Sequence, residues 1–252
     1  MSNSRERLRV GLAGIDGSGV RTLIGALSGS LVPQTHAERR WDDSEIHMSA
    51  FRPDSADLDS LDLLVIVISA RQGVPSELSS LWHSAADRGL SALIAVTHID
   101  DGVVDLEEVT AMCQRVLCDG GEIFLPWLPI HDDDERVCGF INLLSEEIVE
   151  WSDGGPVIHP SEQRHQELIE DARAELCESV MLAVEDDSLF TRYMAGTAID
   201  GEVIESQMYE QIERGLRHPV LGTAITPHLL GVALLLDAFA ELDQIRRAQA
   251  QA

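Results

Sequence analysis

The sequence predicts an α/β fold, a doubly wound and mostly parallel sheet that carries an α+β insertion. Three observations carry that expectation. Through the first half of the chain, short apolar runs alternate with helical segments of about 10–13 residues. Two of the runs, Leu63-Leu64-Val65-Ile66-Val67-Ile68 and Ala92-Leu93-Ile94-Ala95-Val96, are continuously apolar, as parallel strands covered on both faces are. The rhythm breaks after Gly121 and returns in a final strand and helix over residues 219–242.

Each element follows from its own pattern. Leu8, Val10 and Leu12 alternate with Arg7, Arg9 and Gly11 and read as the first strand. A glycine-rich turn leads into a helix over 20–31, with Leu23, Ile24 and Leu27 on one face. Residues 45–51 and 61–70 read as strands, 76–88 as a helix, 91–96 as a buried strand, and 106–117 as a helix entered through Asp105. Residues 122–130 are strand-like around Pro126 and Pro129, and 136–151 read as a pair of strands. A long helix over 161–185 has Leu168, Ile169, Ala172, Leu176, Val180 and Leu182 on its apolar side, and shorter helices follow over 188–194 and 202–216. The expected organisation is a core over 1–121, an inserted α+β subdomain over 122–218, and a closing strand and helix over 219–252.

Composition narrows the function. Hydrophobic residues make up 44% of the 252 and charged residues 25%, ordinary for a globular chain. The longest apolar runs, 61–70 and 231–236, fall far short of the roughly 20 residues a membrane span needs. The start is polar and arginine-bearing, and the apolar stretch after it contains Gly14, Asp16 and Gly17, which suits a strand and loop better than a signal peptide, so a cytoplasmic protein is expected, with no membrane association. A net charge of −26 disfavours direct nucleic-acid binding; Arg39-Arg40 is only a short local basic pair. Cys113, Cys118, Cys138 and Cys177 form no C-x-x-C pair, and the nine histidines form no H-E-x-x-H, so no metal site is expected. The basic residues are 18 arginines and not one lysine, which excludes any mechanism that requires lysine.

Two segments sit where ligands of such sheets bind, at the carboxyl ends of strands. The first is Gly14-Ile15-Asp16-Gly17-Ser18-Gly19-Val20-Arg21-Thr22. A phosphate-binding loop has two glycines five apart, then lysine, then serine or threonine; its N–H groups cradle phosphates, the lysine reaches the outer phosphates and the hydroxyl holds Mg²⁺. Gly14 and Gly19 keep the spacing, with Asp16, Gly17 and Ser18 between them. Val20 takes the lysine position and Arg21 the Mg²⁺-hydroxyl position, with Thr22 one residue further on. The second segment ends a buried strand in Thr97-His98-Ile99-Asp100 and has the form of the guanine-specificity motif Asn-Lys-x-Asp. Asp100 keeps the carboxylate that accepts from guanine, Thr97 stands for the Asn, and the His98 ring stands for the lysine stem that packs on the base.

Taken in order, these segments resemble the G domain of elongation factor G in the translational GTPase family. Residues 63–70 are followed by Gln72-Gly73-Val74-Pro75, Leu81-Trp82 and the strand ending at Asp100. Leu125-Pro126-Trp127-Leu128-Pro129-Ile130, Cys138-Gly139-Phe140-Ile141-Asn142-Leu143 and Leu189-Phe190-Thr191-Arg192-Tyr193-Met194-Ala195-Gly196 are similar to successive parts of that family's inserted subdomain. Gly222-Thr223-Ala224 occupies the place of its base-contacting Gly-Ser-Ala loop. The resemblance runs from Leu8 to Leu242 and implies a P-loop NTPase-type G-domain fold. It implies guanine-nucleotide contacts at Gly14, Asp16, Gly17, Ser18, Gly19, Arg21, Thr22, Thr97, His98, Asp100, Thr223 and Ala224.

The departures from the family imply a degenerate site. The segment between Thr22 and Glu45 is too short for the first switch, and Phe51-Arg52-Pro53-Asp54-Ser55 lacks the Asp, Gly and His of the second. The expectation is a pseudo-GTPase that holds GTP or GDP weakly, with little use for Mg²⁺ and no catalytic residue. A divergent active GTPase and a non-nucleotide interaction protein are the alternatives. The acidic helix carrying Glu167, Glu170, Asp171, Glu175 and Glu178 resembles the face through which the family meets the ribosomal stalk, and implies that partner.

Overall fold

The computed structural model describes residues 7–54, 57–100, 104–117, 121–152, 155–225 and 228–251. Its centre is a seven-stranded sheet. The strands are β1 (Arg7–Ala13), β2 (His36–Trp41), β3 (Ser44–Phe51), β4 (Leu63–Ser69), β5 (Ala92–Thr97), β6 (Glu122–Phe124) and β11 (Arg217–Thr223). Across the sheet they run in the order β2-β3-β1-β4-β5-β11-β6. Every pairing is parallel except that of β2 with β3. The chain turns from β1 to neighbours on both sides, β3 and β4, so the switch point of the winding lies at the carboxyl end of β1.

The continuous apolar runs divide between two cores because successive strand residues face opposite ways. Leu63, Val65 and Val67 of β4 join one core; Leu64, Ile66 and Ile68 join the other. The first core lies under α1 (Val20–Leu27) and α7 (Val232–Gln249), the second under α2 (Ser79–Ala86) and α3 (Leu106–Leu117). Burying one such aliphatic side chain stabilises by about 1.5–3 kcal/mol, so these two strands alone outweigh any surface ion pair.

The insert forms a second, antiparallel sheet. Its strands are β7 (Trp127–His131), β8 (Val137–Asn142), β9 (Glu147–Ser152) and β10 (Gly155–Pro160), in the order β10-β9-β8-β7. Three helices follow: α4 (Gln163–Leu182), α5 (Asp187–Met194) and α6 (Gly201–Glu213). Asp186 caps α5 by accepting from the Ser188 and Leu189 amides, and Asp200 caps α6 through the Glu202 amide. The insert rests on the core where α6 packs against α7 and β11.

Several expectations need correction. Residues 122–130 are two strands, broken at Leu125 and Pro126; the first, β6, pairs with β11 in the main sheet, so the insert starts after Phe124 and not at Glu122. β11 begins at Arg217 rather than Pro219, which places the return to the core before residue 219. The chain between α1 and β3 contains β2, an edge strand of the sequence His-Ala-Glu-Arg-Arg-Trp. α1 stops at Leu27, and α7 runs on to Gln249 instead of ending near Leu242. Cys118, Ser55 and Thr226 lie outside the described residues.

Candidate nucleotide site

The glycine-rich loop leaves the end of β1, the switch point, and enters α1 through Gly19, whose φ of 84° is left-handed and suits glycine. A side chain at Gly14 would come within 2.6 Å of the Val67 carbonyl and would run into the Ser18 hydroxyl. That close approach explains the first glycine. Ser18 is 1% exposed, and its hydroxyl has no hydrogen-bond partner, so it is tucked inside the loop beneath Gly14. Asp16 and Gly17 are exposed; the Asp16 carbonyl accepts from Gln72 Nε2 at 3.2 Å, which ties the loop to the turn after β4. Arg21 is exposed and Thr22 half-buried. The Arg21 carbonyl accepts from the Gln34 amide at 2.9 Å.

Thr97 joins the two motifs. Its hydroxyl, buried at 3% exposure, donates to the Ser18 carbonyl at 2.7 Å. His98 follows in a left-handed conformation, φ 60°. Its Nδ1 lies 2.9 Å from Thr97 Oγ1 and 3.1 Å from Ser69 Oγ. A side chain at Gly19 would meet His98 Cε1 at 3.4 Å, so the imidazole lies against the loop. Burial first, then the nearby Arg71 charge, holds His98 below the ordinary histidine value, against the pull of Asp100. The ring is therefore neutral near pH 7 and does not replace the positive charge of a lysine.

On the base side, Asp100 is half-buried beside His98. Thr223 stands next to Thr97 in the β5–β11 register but is 0% exposed, and its hydroxyl donates to the Val96 carbonyl at 3.2 Å. Ala224 is buried and bridges to Leu230. The structure thus brings Ser18, Gly19, Thr97 and His98 into one cluster, with Thr223 against it. Ser69 belongs to the same cluster and Gln72 braces the loop beside it at Asp16; neither was assigned to the site from the sequence. Their signal was position, since Ser69 ends β4 and Gln72 lies in the turn that follows it.

Comparisons with known proteins bear on the fold. A protein named elongation factor G-like protein, from Mycobacterium tuberculosis strain H37Rv, is 30% identical over 166 residues, which is 66% of this chain. Elongation factor G 2 of Syntrophus aciditrophicus is 26% identical over 180 residues, 69% of this chain. The chain is thus similar in sequence to elongation-factor-G-like proteins. It spans about a fifth of the length of these curated relatives, 22% and 24%. A crystal structure of a Thermus thermophilus protein superposes with a TM-score of 0.79 at 21% identity, over 95% of this chain and 40% of that one. It has the same fold, insert included. No family model matches the chain.

The core sheet has a second polar concentration, far from the loop. A cleft of about 1010 Å³ at the amino-terminal edge of the sheet is lined by Arg9, Arg39, Arg40, Asp62, Arg246 and Arg247, among others. Its charges largely answer one another. Arg9 grips Asp62 with two bonds of 2.9 Å, and buried Asp243 pairs with Arg246 and Arg247 at 2.6 and 2.5 Å. We read it as structural, since nucleotide sites of doubly wound sheets lie at the other end. Among the described residues no helix is long and apolar enough to cross a membrane.

Proposed function

We propose that this G-domain chain is a pseudo-GTPase, an interaction module that holds guanine nucleotide weakly and does not turn it over. One observation carries the reading. Val20 stands where the phosphate-gripping lysine belongs, in a chain without any lysine, and the nearest substitute ring, His98, is neutral. Phosphoryl transfer depends on positioning and charge stabilisation, and an apolar side chain supplies neither. The clasp of Thr97 on Ser18 and the burial of Thr223 support the same conclusion, because groups that would face a nucleotide already serve the fold. Any residual affinity rests on Asp100 and the loop amides, with little dependence on Mg²⁺ and little discrimination between GDP and GTP.

The printed names of the relatives support a link to translation. Glu167, Glu170, Asp171, Glu175 and Glu178 are exposed along α4, and among them Leu168 is an apolar point at 80% exposure. The proposed partner for this face is the ribosomal stalk, and a pulldown with the stalk protein should weaken when the five acids are neutralised. Calorimetry with GDP and GTP, with and without Mg²⁺, beside a turnover assay alone and with ribosomes, tests the main reading. Weak, Mg²⁺-independent binding without turnover supports it. Mg²⁺-dependent hydrolysis would overturn it.

A further inference from the structure

The β2–β3 hairpin at the edge of the main sheet carries a polar ladder on one face. Glu38 on β2 stands directly opposite His47 on β3, and Glu45 lies two residues before His47, so all three project to the same side. His47 Nδ1 is 3.3 Å from Glu38 Oε1, and His47 Nε2 is 3.5 Å from Glu45 Oε1. One ligand atom from each residue lies within 4.8 Å of the others. The His47 side chain is 24% exposed, and its Nε2 is closed off from solvent against the Glu45 carboxylate.

We propose that Glu38, Glu45 and His47 form a site for a divalent transition-metal ion of the Zn²⁺ class. One imidazole nitrogen with two carboxylate oxygens suits Zn²⁺, Ni²⁺ or Co²⁺, whereas Mg²⁺ and Ca²⁺ take oxygen alone and Cu⁺ takes sulfur. Zinc bonds of about 2.0–2.2 Å set tetrahedral ligands roughly 3.3–3.5 Å apart. Each carboxylate keeps that separation from one ring nitrogen, Glu38 from Nδ1 and Glu45 from Nε2. The ion takes one ring nitrogen; Glu38 and Glu45 flank opposite nitrogens, so one carboxylate changes rotamer to complete the set. The fourth position falls to water or to His36, which lines the adjoining groove with Glu38 and His47 and now pairs its Nδ1 with Ser49 at 3.1 Å. Arg7, 3.2 Å from Glu45, is the competitor the ion must outbid for that carboxylate. No linear motif announces the site, because its ligands come from two strands that meet only on pairing.

The test is titration of the full chain with Zn²⁺ by calorimetry, with Co²⁺ absorption as a second readout. Saturable one-to-one binding is expected. His47→Gln and Glu38→Gln should each weaken it by at least the roughly 10–100-fold that loss of a partner behind a ligand costs. Arg7→Ala, which releases Glu45, should tighten it. Visible Co²⁺ bands without thiolate charge-transfer bands support the nitrogen–oxygen set; thiolate bands assign the ion to cysteine and overturn the proposal. So does the absence of saturable binding, or a His47→Gln protein that binds like the parent. Glu38 is exposed, so Glu38→Gln keeps the test decisive if His47→Gln fails to fold.

Discussion

Replacing Arg217 with alanine should cost the protein about 2–4 kcal/mol of stability. Arg217 is 4% exposed at the seam where the insert returns to the core. Its guanidinium donates to Gln211 Oε1 at 2.5 Å, Glu122 Oε2 at 2.5 Å and Ser179 Oγ at 2.7 Å, and lies 5.8 Å from the centre of the Phe124 ring. Burial pushes its pKa down, and Glu122 pushes it back up. Breaking a fully buried ion pair costs about 3–5 kcal/mol. Glu122 is 43% exposed, so water recovers part of that when the partner goes. Gln211 is 2% exposed and keeps its bond to the Val180 carbonyl, but its oxygen would be orphaned, at about 1–3 kcal/mol. Together these effects give the range stated. Urea unfolding followed by tryptophan fluorescence measures it, with Glu122→Gln expected to cost less than Arg217→Ala. A loss below about 1 kcal/mol for Arg217→Ala would refute the view that this hub fastens the insert to the sheet.

Four further outcomes are expected. Thr97→Val should destabilise by about 1–3 kcal/mol and speed hydrogen exchange at the Ser18–Val20 amides, because it removes the clasp on the Ser18 carbonyl. Val20→Lys with Arg21→Thr restores the charge and hydroxyl of a phosphate loop and should tighten GDP binding at least about tenfold by calorimetry, the effect of roughly 1.4 kcal/mol. His218 is buried, bonded to the Ala92 carbonyl at 3.0 Å, and burial lowers its pKa. The unfolded chain then takes up this proton at higher pH than the folded one, so His218 supports the fold above about pH 6.5 and that support is lost as pH falls through its folded value. Glu205, Asp237 and Glu241 have raised values, chiefly from burial, and act with the opposite sign: their contribution holds at low pH and fades as pH rises through those values. Melting curves should therefore show that His218→Gln flattens the decline between about pH 7.5 and 5.5, and that Glu205→Gln stabilises more at about pH 7.5 than at about pH 4.5.

The buried parallel strands were legible because their apolar runs admit few other uses. Both faces of β4 and β5 are covered, and the runs show no alternation to confuse with a helix. β2 was not legible. His-Ala-Glu-Arg-Arg-Trp has an inner face of Ala37, Arg39 and Trp41, which is half-buried and held by partners outside the strand. Arg39 reaches the Ser28 carbonyl, and Trp41 donates to Asp237 at 2.8 Å. The end of α7 was hidden for a related reason. Asp243 at 0% exposure looks like a surface residue until Arg246 and Arg247, one helical turn on, are seen to neutralise it. In the site, the loop and the Thr97–Asp100 strand end were found from spacing and position. What they do to each other was not, because the Thr97–Ser18 bond joins residues far apart in the chain.

The parallel pairing of β6 with β11 has a topological consequence. Two neighbouring parallel strands are never joined by a tight turn; the chain must travel from the end of one back to the start of the next. Residues 125–216 are that journey. The insert is thus the crossover itself, enlarged, rather than an ornament on a loop that would close without it. Pruning it to a short linker would strand β11 from its partner, whereas exchanging it for a plain helix of one crossover's length would leave the sheet's winding intact.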